Sequence, residues 1–268
     1  MSDEPVDAGR AAATAWVGEL KQHGYDHAQQ LSRVEIDRLL RRPSRTWRRI
    51  LPRVRLPERA EVFEAGCGGA VQLVQLAGQG YRGVGIDVSP EVLERARAFV
   101  AAAQASPLWD GNVELVQGDF MDYCSDRRFD LVFHFGVVEH ILDPQPRLAF
   151  LRHMVELARS GGWIVSVVPS GTHPLRQEQR RKGWGGYVVP EIDYSPSLML
   201  EEFRSLGLVG GVVLPHNLFG YLTVPPDLGR ISRTWRRVAY LAAQAIHGPA
   251  AGVLGRHAYS LIGIARKP

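Results

Sequence analysis

A strand that runs into a glycine turn and then a helix constrains this chain more than anything else in it. Val62 and Phe63 read as the end of a buried strand. The glycines of Glu64-Ala65-Gly66-Cys67-Gly68-Gly69 make a tight turn in which the backbone must come close to something. From Ala70 to Leu76 a helix resumes, with Val71, Leu73, Val74 and Leu76 apolar. An α/β fold builds a site for a nucleotide-like ligand in this way, at the carboxyl end of its sheet. The turn is not a dinucleotide fingerprint. Gly66 and Gly68 fit G-x-G-x-x-G, but Val71 holds the third glycine position. A carboxylate at Glu64 would also repel a diphosphate, and it suits a cationic ligand carrying an ammonium group.

Two more acids stand at the ends of apolar runs. Tyr81 to Asp87 reads as a second strand, and Asp87 lies 23 positions after Glu64. An acid about 20 residues beyond the glycine turn is placed to accept both hydroxyls of a ribose. A third strand, Val113 to Gln117, leads into Gly118-Asp119-Phe120, a polar-plus-aromatic pair suited to the edge and face of a purine.

The rest of the pattern alternates. Ser89-Pro90-Glu91 opens a helix with Ser as N-cap and Pro in its first turn, and Val92, Leu93, Ala96, Phe99 and Val100 follow at helical spacing. Asp143-Pro144 opens another, with Leu148, Leu151, Val155 and Ala158 inward and Gly161 as its stop. Ser195-Pro196 opens a third, closing at Gly207. Between them lie short β-branched runs, as in a mostly parallel sheet covered on both faces. At 268 residues and 45% hydrophobic content the chain can bury one sizeable core and still carry additions. The acidic start lacks the pattern of a signal peptide, no apolar run is long enough to span a bilayer, and the two cysteines, Cys67 and Cys124, read as reduced thiols. A cytoplasmic location is the resulting expectation.

The runs E-A-G-C-G-G, G-V-G-I-D-V-S-P and Q-G-D-F resemble the first three motifs of the class I S-adenosylmethionine-dependent methyltransferases. Phe129 to His134 resembles that family's fourth strand, Gly136-Val137-Val138-Glu139-His140 the Glu-His that many small-molecule members carry after it, and Gly161 to Pro169 the fifth strand. The resemblance covers roughly residues 60–170, with a return at 195–214 and 258–266. It implies a doubly wound, mostly parallel seven-stranded sheet of Rossmann-like type, with the last strand antiparallel beside the fifth. The cofactor it implies is S-adenosyl-L-methionine. Glu64, Gly66 and Gly68 would line its methionine portion, Asp87 would hold its ribose, Asp119 and the backbone of Phe120 would meet its adenine, and Val88 counts among the cofactor-binding residues. His134 would stand near the methionine moiety, at the mouth of the reaction cavity. Ala70 departs from the pattern, where many members have glycine. Some quinone-pathway relatives hold a divalent metal with an acid three residues before the Glu-His; Gly136 occupies that position here, so no metal is expected.

The organisation expected is a helical N-terminal extension over 1–58, with helices near 8–20 and 27–40 forming a lid, and a cofactor-binding domain over 59–268 with an insertion near 215–257. Nine arginines, from Arg38 to Arg59, face only Glu58 in that stretch. A solvated face accounts for them; the sharper reading is a docking surface for an anionic partner such as RNA, an acidic carrier protein or a phospholipid. The net charge of +4 does not favour nucleic acid by itself. In the insertion, a basic start with Trp235 and an apolar helix fits packing on the domain or in a dimer interface better than resting on a membrane surface or capping a greasy substrate. The sequence leaves the oligomeric state open.

Methyl transfer from a sulfonium asks the protein mainly to align nucleophile, methyl and sulfur and to exclude water. A hydroxyl acceptor also needs a general base, and the candidates are His140 and His173. For His140, bracing of the loop is an equal alternative. Trp184, Tyr187 and Tyr194 offer either an aromatic wall for the acceptor or ordinary packing. The turn after the fourth strand, His134-Phe135-Gly136-Val137, lacks the Asn/Asp-Pro-Pro-aromatic pattern of nucleic-acid amino-methylating enzymes. A small-molecule acceptor is therefore expected, with oxygen ahead of nitrogen or carbon. The competing readings are a nucleotide-dependent reductase, which Val71 and Glu64 disfavour, a non-catalytic cofactor-binding adaptor, and an RNA methyltransferase using the arginine-rich stretch.

Overall fold

Ser32 starts the first described helix by bonding to it in both directions. Its hydroxyl accepts from the Glu35 N–H, and the Glu35 carboxylate accepts from the Ser32 N–H at 2.8 Å. In the computed structural model, which describes residue 18 and residues 31–181, 189–220, 230–244 and 253–268, this helix is α1, Arg33–Arg41. It is the later part of the helix expected over 27–40; the helix expected near 8–20 lies outside the described residues, apart from residue 18. A second helix, α2 (Arg45–Val54), follows from Ser44 as N-cap. Its buried side chains, Trp47, Ile50 and Val54, recur at helical spacing, so a core-facing stripe holds it although Pro52 lies inside it.

The chain then alternates: β1 (Glu61–Ala65), α3 (Val71–Ala77), β2 (Arg82–Asp87), α4 (Pro90–Gln104), β3 (Asn112–Gln117), β4 (Phe129–Phe135), α5 (Pro144–Leu157) and β5 (Ala158–Pro169). It ends with α6 (Pro174–Arg181), α7 (Pro196–Ser205), β6 (Val209–Leu218), α8 (Arg230–Ala243) and β7 (Ala258–Arg266). One seven-stranded sheet results, in the order β3-β2-β1-β4-β5-β7-β6. The β1–β2, β1–β4, β2–β3 and β4–β5 pairs are parallel, and β7 runs antiparallel to both β5 and β6. The expected doubly wound sheet is therefore present. One boundary differs: α5 stops at Leu157, and Gly161, with φ +73°, lies inside β5 rather than ending the helix.

Strand alternation divides the core into two faces. Val62, Leu131, Phe133, Val165 and Ile262 point toward α1–α4. Phe63, Ala65, Phe129, Val132 and Ile164 point toward α5 and α7. The first two helices share the core of the first face, with Trp47 edge-on to Phe133 at 5.0 Å and bonded through its indole N–H to Gln72 at 2.9 Å. They are thus built into the sheet domain beside the first turn of α3. Among the described residues no helix is long and apolar enough to cross a membrane.

Candidate active site

The turn after β1 needs three residues with positive φ, Gly66 at +68°, Gly68 at +50° and Ala70 at +59°. Glycine takes this conformation freely, and an alanine pays about 1–2 kcal/mol for it. The turn folds back on β2: the Cys67 N–H donates to the Ile86 carbonyl at 2.9 Å, and Cys67 packs where a side chain on Gly85 would stand. The Gly68 N–H donates to Asp87 Oδ2 at 2.9 Å, and the Ser89 N–H to Oδ1 at 3.0 Å. Asp87 is thereby fixed beside the turn, its carboxylate held by backbone on both sides. Among the described residues no atom lies within 4 Å of the position a Gly68 side chain would take, so they leave the turn open on that side.

Glu64 stands at the tip of β1, opposite Gly85 and Phe133. It is buried, and its Oε2 has no hydrogen-bond partner among the described residues. Burial, and then the charge of Asp87, push its carboxyl well above the usual carboxylate range. Two acids are therefore close enough to repel, in a place where one has an unused acceptor; such a pair is satisfied by a cation that also donates hydrogen bonds. The tip of β3 is tied in by the Gly118 N–H, which donates to the Asp87 carbonyl at 3.0 Å. Next to it, Asp119 is half-buried and accepts from the Met121 N–H at 2.9 Å. Phe120 turns its ring into the core against Phe63 and Phe150, leaving only its backbone toward the strand tips. Val88 is exposed.

His134 is not where the sequence placed it. Its ring is fully buried and edge-on to Phe150 of α5, on the face of Val132, whereas Glu64 shares the face of Val62. Alternation along β4 forces this, because Phe133 and Phe135 take the Trp47 side. Neither ring nitrogen has a partner among the described residues, and burial lowers its pKa to about 3, so it is neutral.

The two base candidates lie beyond β4 and β5. His140 closes a 3-10 turn, Val138–His140. Its Nδ1 is 3.0 Å from the Pro190 carbonyl, which assigns the proton to Nδ1 and leaves the lone pair on Nε2, 4.0 Å from Glu139 Oε1. Burial is the largest influence and holds the His140 pKa below its ordinary value. Glu139 is buried too, with Oε2 unpartnered among the described residues, and burial pushes its carboxyl up to about 8. The Ile192 N–H donates to its carbonyl, and Arg176 and Glu191, an ion pair, act on both residues. His173 is buried edge-on to His257 at 5.9 Å, and burial followed by His257 lowers its pKa to about 4. The two histidines thus belong to separate groups, joined through α6, which starts after His173 and carries Arg176.

Tyr194 is packing rather than wall. It is buried, and its hydroxyl donates to Glu202 at 2.9 Å; Glu202 also takes the Arg147 Nε–H at 2.7 Å. Trp184 and Tyr187 lie outside the described residues. Trp47 and Gln72 beside the turn, and His216 with Thr46 at 3.0 Å, were not singled out from sequence. The apolar spacing of Trp47, Ile50 and Val54 carried the signal for α2, hidden among its arginines.

A family described as a methyltransferase domain matches residues 62–162. A thiopurine S-methyltransferase of Pseudomonas putida (strain GB-1) is 33% identical over 158 residues, covering 53% of this chain and 73% of that one. A ubiquinone biosynthesis O-methyltransferase of Thiobacillus denitrificans is 30% identical over 104 residues, 39% of this chain and 42% of its own. The chain spans about half the length of the first curated relatives it matches. The crystal structure of a SAM-dependent methyltransferase from Archaeoglobus fulgidus superposes with a TM-score of 0.57 at 18% identity, covering 94% of this chain and 99% of that one.

Proposed function

Because this chain belongs to the class I S-adenosylmethionine-dependent methyltransferases, we propose that it binds S-adenosyl-L-methionine at the tips of β1, β2 and β3 and methylates a small-molecule acceptor, at oxygen. The observation that carries the reading is Glu64: a buried carboxylate with an unused oxygen, beside Asp87, at an open glycine turn. The residues present fit the cofactor. Glu64 and the Gly66–Gly68 turn would hold its ammonium-bearing methionine end, Asp87 with Val88 its ribose, and Asp119 with the Phe120 backbone its adenine.

The cofactor supplies a methyl group on a positively charged sulfur that is already a good leaving group. The protein's work is then to orient and to exclude water. Trp47 and Phe135, tilted together at 5.5 Å, form an apolar wall beside Phe133, the β4 neighbour of Glu64. For a hydroxyl acceptor His140 is the better base, being neutral near pH 7 with its lone pair on Nε2. Glu139, protonated at that pH, cannot take the proton. The O-methyltransferases among the relatives support oxygen as the acceptor atom.

Isothermal calorimetry tests the cofactor site. Wild type binds S-adenosylmethionine, and Asp87→Ala, which loses the ribose acceptor and unpins the Gly68 N–H, weakens binding by about tenfold or more. Absence of heat with the wild type rejects the proposal.

A further inference from the structure

The carboxyl end of β6 gathers two segments that lie nearly two hundred positions apart. On one side is α2: Thr46 Oγ1 is 3.0 Å from His216 Nε2, and Arg49 donates to the Pro215 carbonyl. On the other is α8: the Tyr240 hydroxyl donates to Asn217 Oδ1 at 3.3 Å, and the Gln244 amide to the Leu218 carbonyl at 2.8 Å. Ala243 packs with Leu218 and Ala258. Ala258 has the strand parity of Ile262 and Ile264, whose side chains face α2, so α8 lies on that same face. Because β6 is antiparallel to β7, which is antiparallel to β5, its carboxyl end is also the end of the sheet that carries Glu64 and Asp87.

One helix presents an apolar surface and the other a basic one. Along α8, Trp235, Val238 and Leu241 are 70%, 50% and 52% exposed, and a three-residue spacing puts them in one stripe. Among the described side chains of this helix only Ala243, at its end, is buried, so the described part of the domain leaves the stripe uncovered. Arg237 is exposed beside the stripe and Arg236 half-buried. Asp227 is the sole acid between residues 221 and 257. On α2, Arg45, Arg48, Arg49 and Arg53 have no carboxylate in an ion pair among the described residues. Their crowding is felt locally: after burial, Arg53 and Arg45 depress the Arg49 pKa, and Arg49 and Arg45 that of His216. A partner that is only apolar leaves these arginines unmatched, and one that is only anionic leaves the stripe wet. An anionic lipid surface satisfies both.

We propose that this edge docks on anionic membranes, α8 laying Trp235, Val238 and Leu241 into the headgroup–acyl boundary while the arginines of α2 and α8 meet lipid phosphates. Docking would turn the sheet's carboxyl end toward the bilayer. The inference does not depend on methyl transfer. It is tested by sedimenting the full chain with vesicles of phosphatidylcholine alone or mixed with phosphatidylglycerol. Binding is expected only to the mixed vesicles, falling with salt. Trp235→Ser with Leu241→Ser should weaken it by roughly tenfold, and Arg48→Ser with Arg53→Ser by roughly fivefold per arginine. If the first pair lowers the melting temperature, Val238→Cys in a Cys124→Ser background, carrying an environment-sensitive dye, gives the same readout: its emission should shift blue on mixed vesicles. The proposal is overturned by no binding of wild type at low salt, by equal binding to neutral vesicles, by an unshifted dye, or by undiminished binding of the apolar pair. It is equally overturned if that pair dissolves a dimer in light scattering, or if RNA is bound and vesicles are not.

Discussion

Glu64 Oε2 has no hydrogen-bond partner among the described residues, yet the residue sits at the end of a core strand between Phe63 and Ala65. A carboxyl so placed costs stability, and under the proposed function that cost is offset when the cofactor binds. Replacing Glu64 by Gln should therefore move two quantities in opposite directions. The cofactor-free protein melts higher above neutral pH, because no buried charge is left to desolvate, while affinity for S-adenosylmethionine falls by about tenfold or more as the ammonium loses its counter-charge. Thermal unfolding and calorimetry on the same preparation check it; a fall in both would make Glu64 a structural residue. Glu64, Asp87 and Asp119 stand out in the sequence because each lies at the end of an apolar run. It could not place His134, since one-residue alternation on β4 decides which face a ring meets, and that depends on Trp47 already filling the other side.

Elements are locked here by a small number of buried polar joints. Arg147 of α5 donates to Glu202 of α7 and to the carbonyls of Ile141 and Leu142, in the loop that follows His140, while Tyr194 donates to the second Glu202 oxygen. Removing one partner of a buried ion pair usually costs 3–5 kcal/mol, so Glu202→Gln should destabilise by about 3 kcal/mol in urea unfolding. Arg147→Met combined with Glu202→Leu should recover more than half of that, because no lone charge is left. Three helices were legible from their caps, Ser89-Pro90, Asp143-Pro144 and Ser195-Pro196, each of which does open a helix. The helix α2 was not. Its arginines and Pro52 mask a stripe that makes sense only against the sheet it covers.

At the scale of the whole molecule, buried titratable groups set how stability varies with pH. His134, His173 and His216 have folded pKa values of about 3, 4 and 3, below the unfolded value near 6.5. Between those values the unfolded chain binds more protons, so stability falls as the solution is made more acid than pH 6.5. Glu139 behaves oppositely. Its folded pKa of about 8 exceeds the ordinary carboxylate value, so the folded state holds the extra proton and stability falls as pH rises from the carboxylate range toward 8. Glu64, shifted in the same direction, adds to that decline. Melting temperature should peak at about pH 6–6.5 and drop on both sides, with Glu139→Gln flattening the alkaline limb. A scan from acid to alkaline pH in which the two proteins give parallel curves would contradict the assignment.

The glycine turn, the acids at three strand tips and the helix caps determined the architecture and the class of cofactor, because each is a short-range requirement written in adjacent residues. Only the tertiary structure decided which of those side chains share a face, that Glu139 and His173 are buried, and that α2 and α8 both bond to the same end of β6. Burial and juxtaposition are sums over segments far apart in the chain. No local pattern contains them, and they set the pKa values and exposed surfaces through which the molecule acts.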